Sequence, residues 1–201
     1  MNKKILDVII IGLIVSLVIV LSLILIRYGK NYVNEKNIED TLSVIDQELT
    51  NSYDKKNIQS KDLLDIDYKG YKVEGIIEIP KIGIKYPIIN ETTDETMKIS
   101  ITKFWGPSAN EIGNYTVAGH NNKDGTMFGK AKNLKLGDTI KLTNLKNETV
   151  EYAVFDIYSI NPNDVSCVES IEPDTREITL ITCTNGHKNR LITKARECKN
   201  V

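Results

Sequence analysis

The sequence predicts a mostly β protein, a closed or nearly closed β-barrel with a few short helices, preceded by an N-terminal transmembrane helix and a polar stalk. Short runs rich in β-branched residues, each bounded by turn residues, recur through about 130 residues of the C-terminal part, a pattern typical of barrels. Near the N-terminus, by contrast, residues 8–26 carry no charge. With 201 residues in all, the chain has room for one ordinary domain besides these segments.

Composition excludes several classes of protein. The chain has 26 basic and 27 acidic residues, so it lacks the excess of positive charge expected of a protein that binds nucleic acid. Its 26% charged and 41% hydrophobic residues lie near the averages of globular domains, which excludes wholesale disorder. Three cysteines are too few for a disulfide scaffold. With only two histidines, we predict no metal site and no cofactor.

The uncharged stretch of residues 8–26 is predicted to be a transmembrane signal anchor that follows a short cytoplasmic segment, residues 1–7. As a helix it would cover roughly 28 Å, close to the thickness of the hydrocarbon core of a bilayer. A cleaved signal peptide would have a shorter apolar region and small residues before the cut, whereas Arg27 and Tyr28 follow here. Basic residues flank the span on both sides, so they do not set its orientation.

Residues 27–70 are predicted to be a polar linker containing a stalk helix. Apolar residues recur there at spacings of three to five, which indicates one amphipathic helix, and residues 51–54 (Asn-Ser-Tyr-Asp) are expected to end it. Residues 71–201 then form the barrel domain. Its predicted strands are residues 73–79, 84–89, 115–118, 139–142, 150–160, 178–182 and 191–195, and its predicted short helices are residues 93–101 and 126–134.

Cys183 and Arg190 are the first candidates for chemistry. Cys183 ends a β-branched strand, a Gly-containing loop follows, and Arg190 opens the next strand. If those two strands form a hairpin, the guanidinium comes to lie beside the sulfur. There it could favour the thiolate or hold a carbonyl oxygen during acyl transfer. Lysine would substitute poorly because it lacks the planar fork of donors.

A thiol nucleophile also needs a group that transfers protons. His120 ends another predicted strand and follows Gly119, which would allow a close approach of another segment, whereas His187 lies in the loop before Arg190 and is expected to be solvated. Each residue taken singly has an ordinary alternative role, since a lone cysteine is most often a small buried apolar group. Together they are the set that thiol acyl transfer requires.

These residues lie in motifs that resemble those of the sortases. Residues 179–183 (Thr-Leu-Ile-Thr-Cys) followed by Arg190 resemble the TLxTC…R signature. Residues 118–121 with residues 125–129 resemble the histidine segment, and residues 75–84 resemble the first-strand motif. The resemblance covers roughly residues 73–197, with the motifs in the expected order.

The resemblance implies an eight-stranded sortase barrel and a cysteine transpeptidase. Such an enzyme cleaves an LPxTG-like sorting motif between its threonine and glycine, keeps the acyl part as a thioester and transfers it to an amine. By motif, Cys183 would be the nucleophile, His120 the acid and base, and Arg190 the stabiliser of substrate and oxyanion. Thr182 and Ala118 would line the substrate groove.

The resemblance also implies partners and a location. The substrates would be sorting-motif peptides of secreted surface proteins, and the acceptor a peptidoglycan precursor or another amine. The N-terminal helix would hold the protein in the cell membrane as a single-pass protein with its catalytic domain outside the cell.

The class of sortase stays open between two sets of features. Residues 121–129 look like the class B histidine segment, yet residues 161–176 are too few for the long helix of class B and look like class A, D or E. Nothing before His120 resembles the lid of pilus sortases, which favours an anchoring role. Class A enzymes can bind calcium in the region that here contains Asp164, Glu169, Glu172 and Asp174.

Other functions remain as alternatives at this point. In an L,D-transpeptidase, histidine and cysteine lie within a few residues of one another, unlike His120 and Cys183. A papain-like hydrolase has its cysteine before its histidine, the reverse of the order here. A cell-wall thiol hydrolase or a non-catalytic β-domain that binds a wall component also stays possible. Cys167 and Cys198 could form a disulfide or remain free thiols.

Overall fold

The computed structural model describes residues 3–54, 66–184, 186 and 188–198. Helix α1 (Lys3–Asp54) is continuous through the predicted break at Asn51 and ends at Asp54. The chain divides into two compact units, Met1–Ser43 and Val44–Val201. Within the first, Ile9–Lys30 has a mean hydropathy of 3.4 and none of its most apolar window is buried. By length and composition, this stretch is therefore long and apolar enough to cross a membrane.

The second unit contains a closed β-barrel, as predicted. Strand order in the sheet is β1-β2-β3-β4-β5-β8-β9-β7-β6, and β2 also pairs with β6. That last pairing closes β2 to β9 into eight strands, while β1 is a short addition at the edge of β2. The strands are β1 (Asp67–Tyr68), β2 (Tyr71–Ile79), β3 (Ile84–Ile89), β4 (Ile101–Trp105), β5 (Gly113–Ala118), β6 (Thr139–Asn144), β7 (Thr149–Ile160), β8 (Arg176–Thr184) and β9 (Asn189–Glu197).

Two local predictions were wrong. Helix α2 (Asp94–Ile99) starts at an N-cap, Thr93, but Ile101 begins the unpredicted strand β4 instead of ending the helix. No α-helix forms over residues 126–134, where the structure has turns and a single 3-10 turn at Ala131–Asn133. Met127 has a φ of 49°, a left-handed conformation that an α-helix cannot contain.

The two faces of β5, β8 and β9 have different roles. One lines the barrel interior, where Tyr115 and Val117 of β5 pair with Ile178 and Leu180 of β8, all of them buried. The opposite side, here called the outer face, follows from the alternation of side chains along a strand. It comprises Asn114, Thr116 and Ala118 of β5, Glu177, Thr179, Ile181 and Cys183 of β8, and Arg190, Ile192, Lys194 and Arg196 of β9.

Candidate active site

The β8–β9 hairpin brings Cys183 and Arg190 together. The two residues are direct partners in the antiparallel register, so their side chains leave the same face of the sheet as a cross-strand pair. Both are half-buried. Within the described part of the chain, no hydrogen bond or ion pair occupies the Arg190 guanidinium, whose donors are therefore available to a bound oxygen.

His120 comes two residues after the end of β5, and β5 is the strand next to β8 in the sheet. Ala118 pairs with Ile181 in parallel register, and the Gly119 N–H donates to the Ile181 carbonyl oxygen at 3.1 Å. His120 and Cys183 each lie two residues beyond this last pair. Cys183 of β8 and Arg190 of β9 are therefore paired by the register, and His120 follows the end of β5, the strand on the other side of β8. The other histidine, His187, lies outside the described residues.

The two residues assigned to the substrate groove lie on opposite faces of the sheet. Ala118 is on the outer face, directly before the histidine segment, and is 5% exposed. Thr182 is 4% exposed, and its Oγ1 donates to the Gly119 carbonyl oxygen at 2.7 Å. The hydroxyl of Thr182 is therefore engaged by the main chain beside His120, and a contact between Thr182 and substrate stays a prediction.

Gly119 is required by packing against a side chain. A Cβ at this position would lie 2.8 Å from Cδ2 of Phe128 and 3.3 Å from Cγ1 of Ile101. Phe128 is fully buried, and its N–H donates to the His120 carbonyl oxygen at 3.0 Å. Phe128, in the segment where the chain turns back after His120, thus packs against the main chain beside the histidine.

Residues 161–175, here called the β7–β8 loop, are held on the outer face by buried polar side chains. The Asn114 amide donates to three carbonyl oxygens of the loop, those of Cys167, Val168 and Glu169, at 3.0, 3.0 and 3.3 Å. Lys194, 2% exposed, donates to the Glu169 carbonyl oxygen at 2.7 Å. The base of this loop therefore has a fixed path across the outer face.

A second group of charges holds the end of this loop. Glu177 accepts from the N–H groups of Ile171 and Glu172 at 3.0 and 3.4 Å. It also accepts from Nη2 and Nε of Arg196 at 3.1 and 3.3 Å. Arg196 in turn pairs with Glu172 at 2.7 Å. Sequence reasoning missed Asn114, Glu177 and Lys194, because polar residues in strands usually indicate a solvent-facing side.

Two of the four acidic residues considered for calcium have other partners. Glu172 is paired with Arg196, and a carboxyl oxygen of Asp164 accepts from the Ser166 N–H at 2.9 Å. That hydrogen bond lowers the pKa of Asp164. Among the residues with described positions, no three His, Cys, Asp or Glu side chains are grouped as metal ligands would be. The expectation of no cofactor stays a prediction.

The three cysteines are free thiols in different environments. Cys167 is buried, Cys183 half-buried and Cys198 exposed. Burial raises the pKa of Cys167 more than the charge of Lys194 lowers it. Because the thiolate is the reactive form, we expect iodoacetamide at neutral pH to label Cys167 last. Peptide mapping after timed labelling would measure the order, and similar rates in denaturant are the control. Labelling of Cys167 as fast as that of Cys198 in the folded protein would contradict this.

Known proteins with similar sequences are sortases. A family model described as Sortase domain matches residues 77–198, more than half of the chain. The chain is 34% identical over 119 residues to Sortase A of Bacillus anthracis, an alignment that covers 59% of this chain and 55% of that relative. It is 28% identical over 158 residues to Sortase A of Staphylococcus aureus, covering 76% and 75% of the two chains. The chain spans only about half the length of the first of these relatives.

Solved structures show the same fold. The Sortase D5 transpeptidase of Clostridium perfringens superposes with a TM-score of 0.61 at 25% identity, over 82% of this chain and 98% of that one. Sortase A from Corynebacterium diphtheriae gives a TM-score of 0.59 at 26% identity, over 65% and 63% of the two chains.

Proposed function

The chain belongs to the sortase family, and from this we propose that it is a membrane-anchored cysteine transpeptidase that attaches secreted proteins to the cell surface. One observation carries the proposal. Cys183 lies directly opposite Arg190, and His120 follows β5, whose last pair with β8 is Ala118–Ile181, two residues before Cys183. We infer that a nucleophile, a proton-transferring group and a fork of cationic donors meet at this end of the sheet, as acyl transfer requires.

The first half of the reaction forms the acyl-enzyme. The Cys183 sulfur attacks the carbonyl carbon between the threonine and glycine of an LPxTG-type motif, while Arg190 donates to the oxygen on which negative charge develops. The new C–S bond replaces the C–N bond, and His120 gives a proton to the departing glycine amine. The thioester then holds the threonine end of the secreted protein.

The second half returns the enzyme to its starting state. An amine of a peptidoglycan precursor or of another acceptor attacks the thioester carbon, and His120 takes the proton that the amine loses. The new C–N bond replaces the C–S bond, so the Cys183 sulfur leaves as a thiolate beside the protonated His120, which is the state in which the reaction began. One peptide bond is made for each one broken, and no external energy source is needed.

The outer face supplies a floor for the peptide on the approach to Cys183. Ala118 pairs with Ile181 across β5 and β8, and Ile181 pairs with Ile192 across β8 and β9. Ile181 is the nearest residue to Cys183 on this face of β8 and is half-buried, whereas Ile192 is fully buried and Ala118 is 5% exposed. Ile181 is therefore the accessible member of this floor, and a contact between Ala118 and substrate stays a prediction.

The N-terminal segment supports anchoring in the cell membrane. Ile9–Lys30 has the length and hydropathy of one membrane crossing. We place residues 1–7 in the cytoplasm, a span within residues 8–26, a linker over residues 27–70 and the catalytic domain, residues 71–201, outside the cell. A proteolysis experiment on intact cells would test this, since only an external domain is accessible to added protease.

The short β7–β8 loop supports one of the groups of sortase classes considered above. The loop contains only one short 3-10 turn, Ser166–Val168, which favours class A, D or E over class B with its long helix. We propose an anchoring sortase of that group, acting on an LPxTG-like motif.

The test is to detect and locate the acyl-enzyme. The full-length protein in detergent micelles is incubated with an LPxTG-type or an NPxTx-type peptide, with and without an oligoglycine amine. We expect intact-mass spectrometry to show a peptide adduct that maps to Cys183, disappears in Cys183→Ala and is transferred to the amine. No adduct with either peptide, although Cys183 can be alkylated, would contradict the proposed substrate class. Release of a free acid despite the amine would favour a thiol hydrolase.

A further inference from the structure

The main-chain ladder between β5 and β8 stops one residue before the candidate histidine. Its last bond runs from the Gly119 N–H to the Ile181 carbonyl oxygen. In a parallel pair, the next two bonds would run from the Cys183 N–H to the Gly119 oxygen and from the Asn121 N–H to the Cys183 oxygen. Neither is present among the main-chain hydrogen bonds of the described residues. The two backbones thus separate where His120 and Cys183 must face each other.

Two side chains take the places of the missing bonds. The Thr182 hydroxyl donates to the Gly119 carbonyl oxygen at 2.7 Å, and Asn121 Nδ2 donates to the Cys183 carbonyl oxygen at 2.6 Å. These are the two carbonyl oxygens that a continued ladder would have used. Because Gly119 and Asn121 are the immediate neighbours of His120, the histidine is tied to β8 on both sides.

Asn121 follows His120 in the chain, so its hydrogen bond to Cys183 lies beyond the histidine, on the side away from β5. Beyond it the chain turns back, with Asn121 bridged to Met127 and the Met127 N–H donating to the hydroxyl of Tyr86 at 3.1 Å. Those contacts hold the turn but do not reach β8. Across residues 121–129, the Asn121 amide provides the only hydrogen bond to β8 that the described structure contains.

We propose that Asn121 is a positioning residue that fixes His120 relative to Cys183 by holding the carbonyl of the nucleophile itself. This inference rests on the proposed function, in which the two side chains exchange a proton. A carbonyl oxygen only accepts hydrogen bonds, so the position requires a side chain that donates. Alanine removes the donor, and aspartate places a carboxylate oxygen against the carbonyl oxygen.

The test compares turnover of an LPxTG-type peptide by full-length variants. We expect Asn121→Ala to lower kcat about 10-fold or more, because small displacements of a catalytic group cost rate steeply, and Asn121→Asp to lower it further. KM should change less than about twofold, since the amide does not bind the peptide. Asn122→Ala is the matched control: Asn122 is the next residue, and its Nδ2 bonds only within the loop, to Thr126 at 2.9 Å.

A second readout separates this inference from the proposed function. The pH dependence of Cys183 alkylation is measured in the wild type, His120→Ala, Asn121→Ala and Asn122→Ala. We expect His120→Ala to change the profile, Asn121→Ala to change it in the same direction, and Asn122→Ala to match the wild type. This measurement needs no peptide, so it reports on Asn121 even if the sorting motif is wrong.

The two assays together separate the role of Asn121 from the existence of a histidine–cysteine pair. If His120→Ala changes the alkylation profile while Asn121→Ala behaves like Asn122→Ala in both assays, the role of Asn121 is overturned and the proposed function stands. If His120→Ala leaves the profile unchanged, no histidine–cysteine pair exists to be positioned, and both proposals fail. A large rise in KM with kcat unchanged in Asn121→Ala would show a peptide-binding residue and would also overturn the positioning role.

Discussion

Replacing Arg190 by alanine is expected to lower kcat/KM for sorting-peptide cleavage about 10²–10³-fold, the usual cost of removing one donor to a developing oxyanion. The structure supports an effect of this size because Arg190 is the cross-strand partner of Cys183. In the proposed mechanism, its guanidinium stabilises the oxygen of the attacked carbonyl.

The Arg190→Lys variant tests whether a positive charge at this position is sufficient or the donor geometry of arginine is also needed. Arg190→Lys keeps a positive charge but loses the planar pair of donors that can hold an oxygen from two directions. We expect it to recover only a small part of the loss, and to remain at least about 10-fold below the wild type. An enzyme that needed only a positive charge near the sulfur would instead recover nearly fully.

The measurement is steady-state cleavage of a fluorogenic LPxTG-type peptide by the full-length variants. Lys188→Ala is the matched control, because Lys188 is exposed on the same hairpin turn. Its replacement should leave kcat/KM near that of the wild type. An Arg190→Ala variant within about threefold of Lys188→Ala would exclude the oxyanion role.

The Cys183–Arg190 pairing could be predicted from sequence because it depends on local structure alone. A β-branched strand, a short loop with Gly186 and a second β-branched strand almost define a hairpin, and the structure has that register.

Strand β4 was not predicted, because its local sequence fits two kinds of structure. It makes only two pairs with β3 and follows α2 after one residue, Ser100, so its sequence also fits the last turn of a helix.

Residues held by distant partners could not be predicted in this way. Glu177 lies between Arg176 and Ile178, and Lys194 between Thr193 and Ala195. Charged residues at such strand positions usually indicate a solvent-facing side. Glu177 and Lys194 are nevertheless buried, because the β7–β8 loop covers that side of the sheet. Asn121 reads as a turn residue, and its bond to Cys183 spans 62 positions. Only the assembled barrel shows what these polar groups contact.

Replacing the buried Glu177 is expected to reduce the stability of the barrel strongly. Its side chain is 1% exposed beside an Arg196 that is 27% exposed. It accepts hydrogen bonds from that guanidinium and from two main-chain N–H groups of the β7–β8 loop. Removing one partner of a buried ion pair typically costs about 3–5 kcal/mol, since the other partner is left without compensation. Because Arg196 keeps Glu172 as a partner, we expect the lower end, about 3 kcal/mol, for Glu177→Ala.

The Glu177→Gln variant distinguishes the contribution of the negative charge to stability from that of the shape of the side chain. Glutamine fills the same space and keeps an acceptor for Arg196, but its NH₂ group would face the Ile171 N–H, where Oε2 of Glu177 accepts at 3.0 Å. Two donors would then oppose each other inside the protein, so we expect a smaller but clear loss, about 1–2 kcal/mol. The end of the β7–β8 loop should loosen with it, which limited proteolysis would detect as cleavage near Ile171.

Unfolding of the full-length variants in urea, followed by circular dichroism in a constant detergent concentration, measures these losses. Glu151→Gln is the matched control, because Glu151 pairs with Lys141 at 3.1 Å on the exposed side of β7, and exposed pairs contribute little to stability. Glu177→Gln should unfold at a clearly lower urea concentration than Glu151→Gln. Equal midpoints would mean that Glu177 contributes no more than a surface charge, and that the other contacts of the loop, such as those of Asn114 and Lys194, are sufficient to hold it.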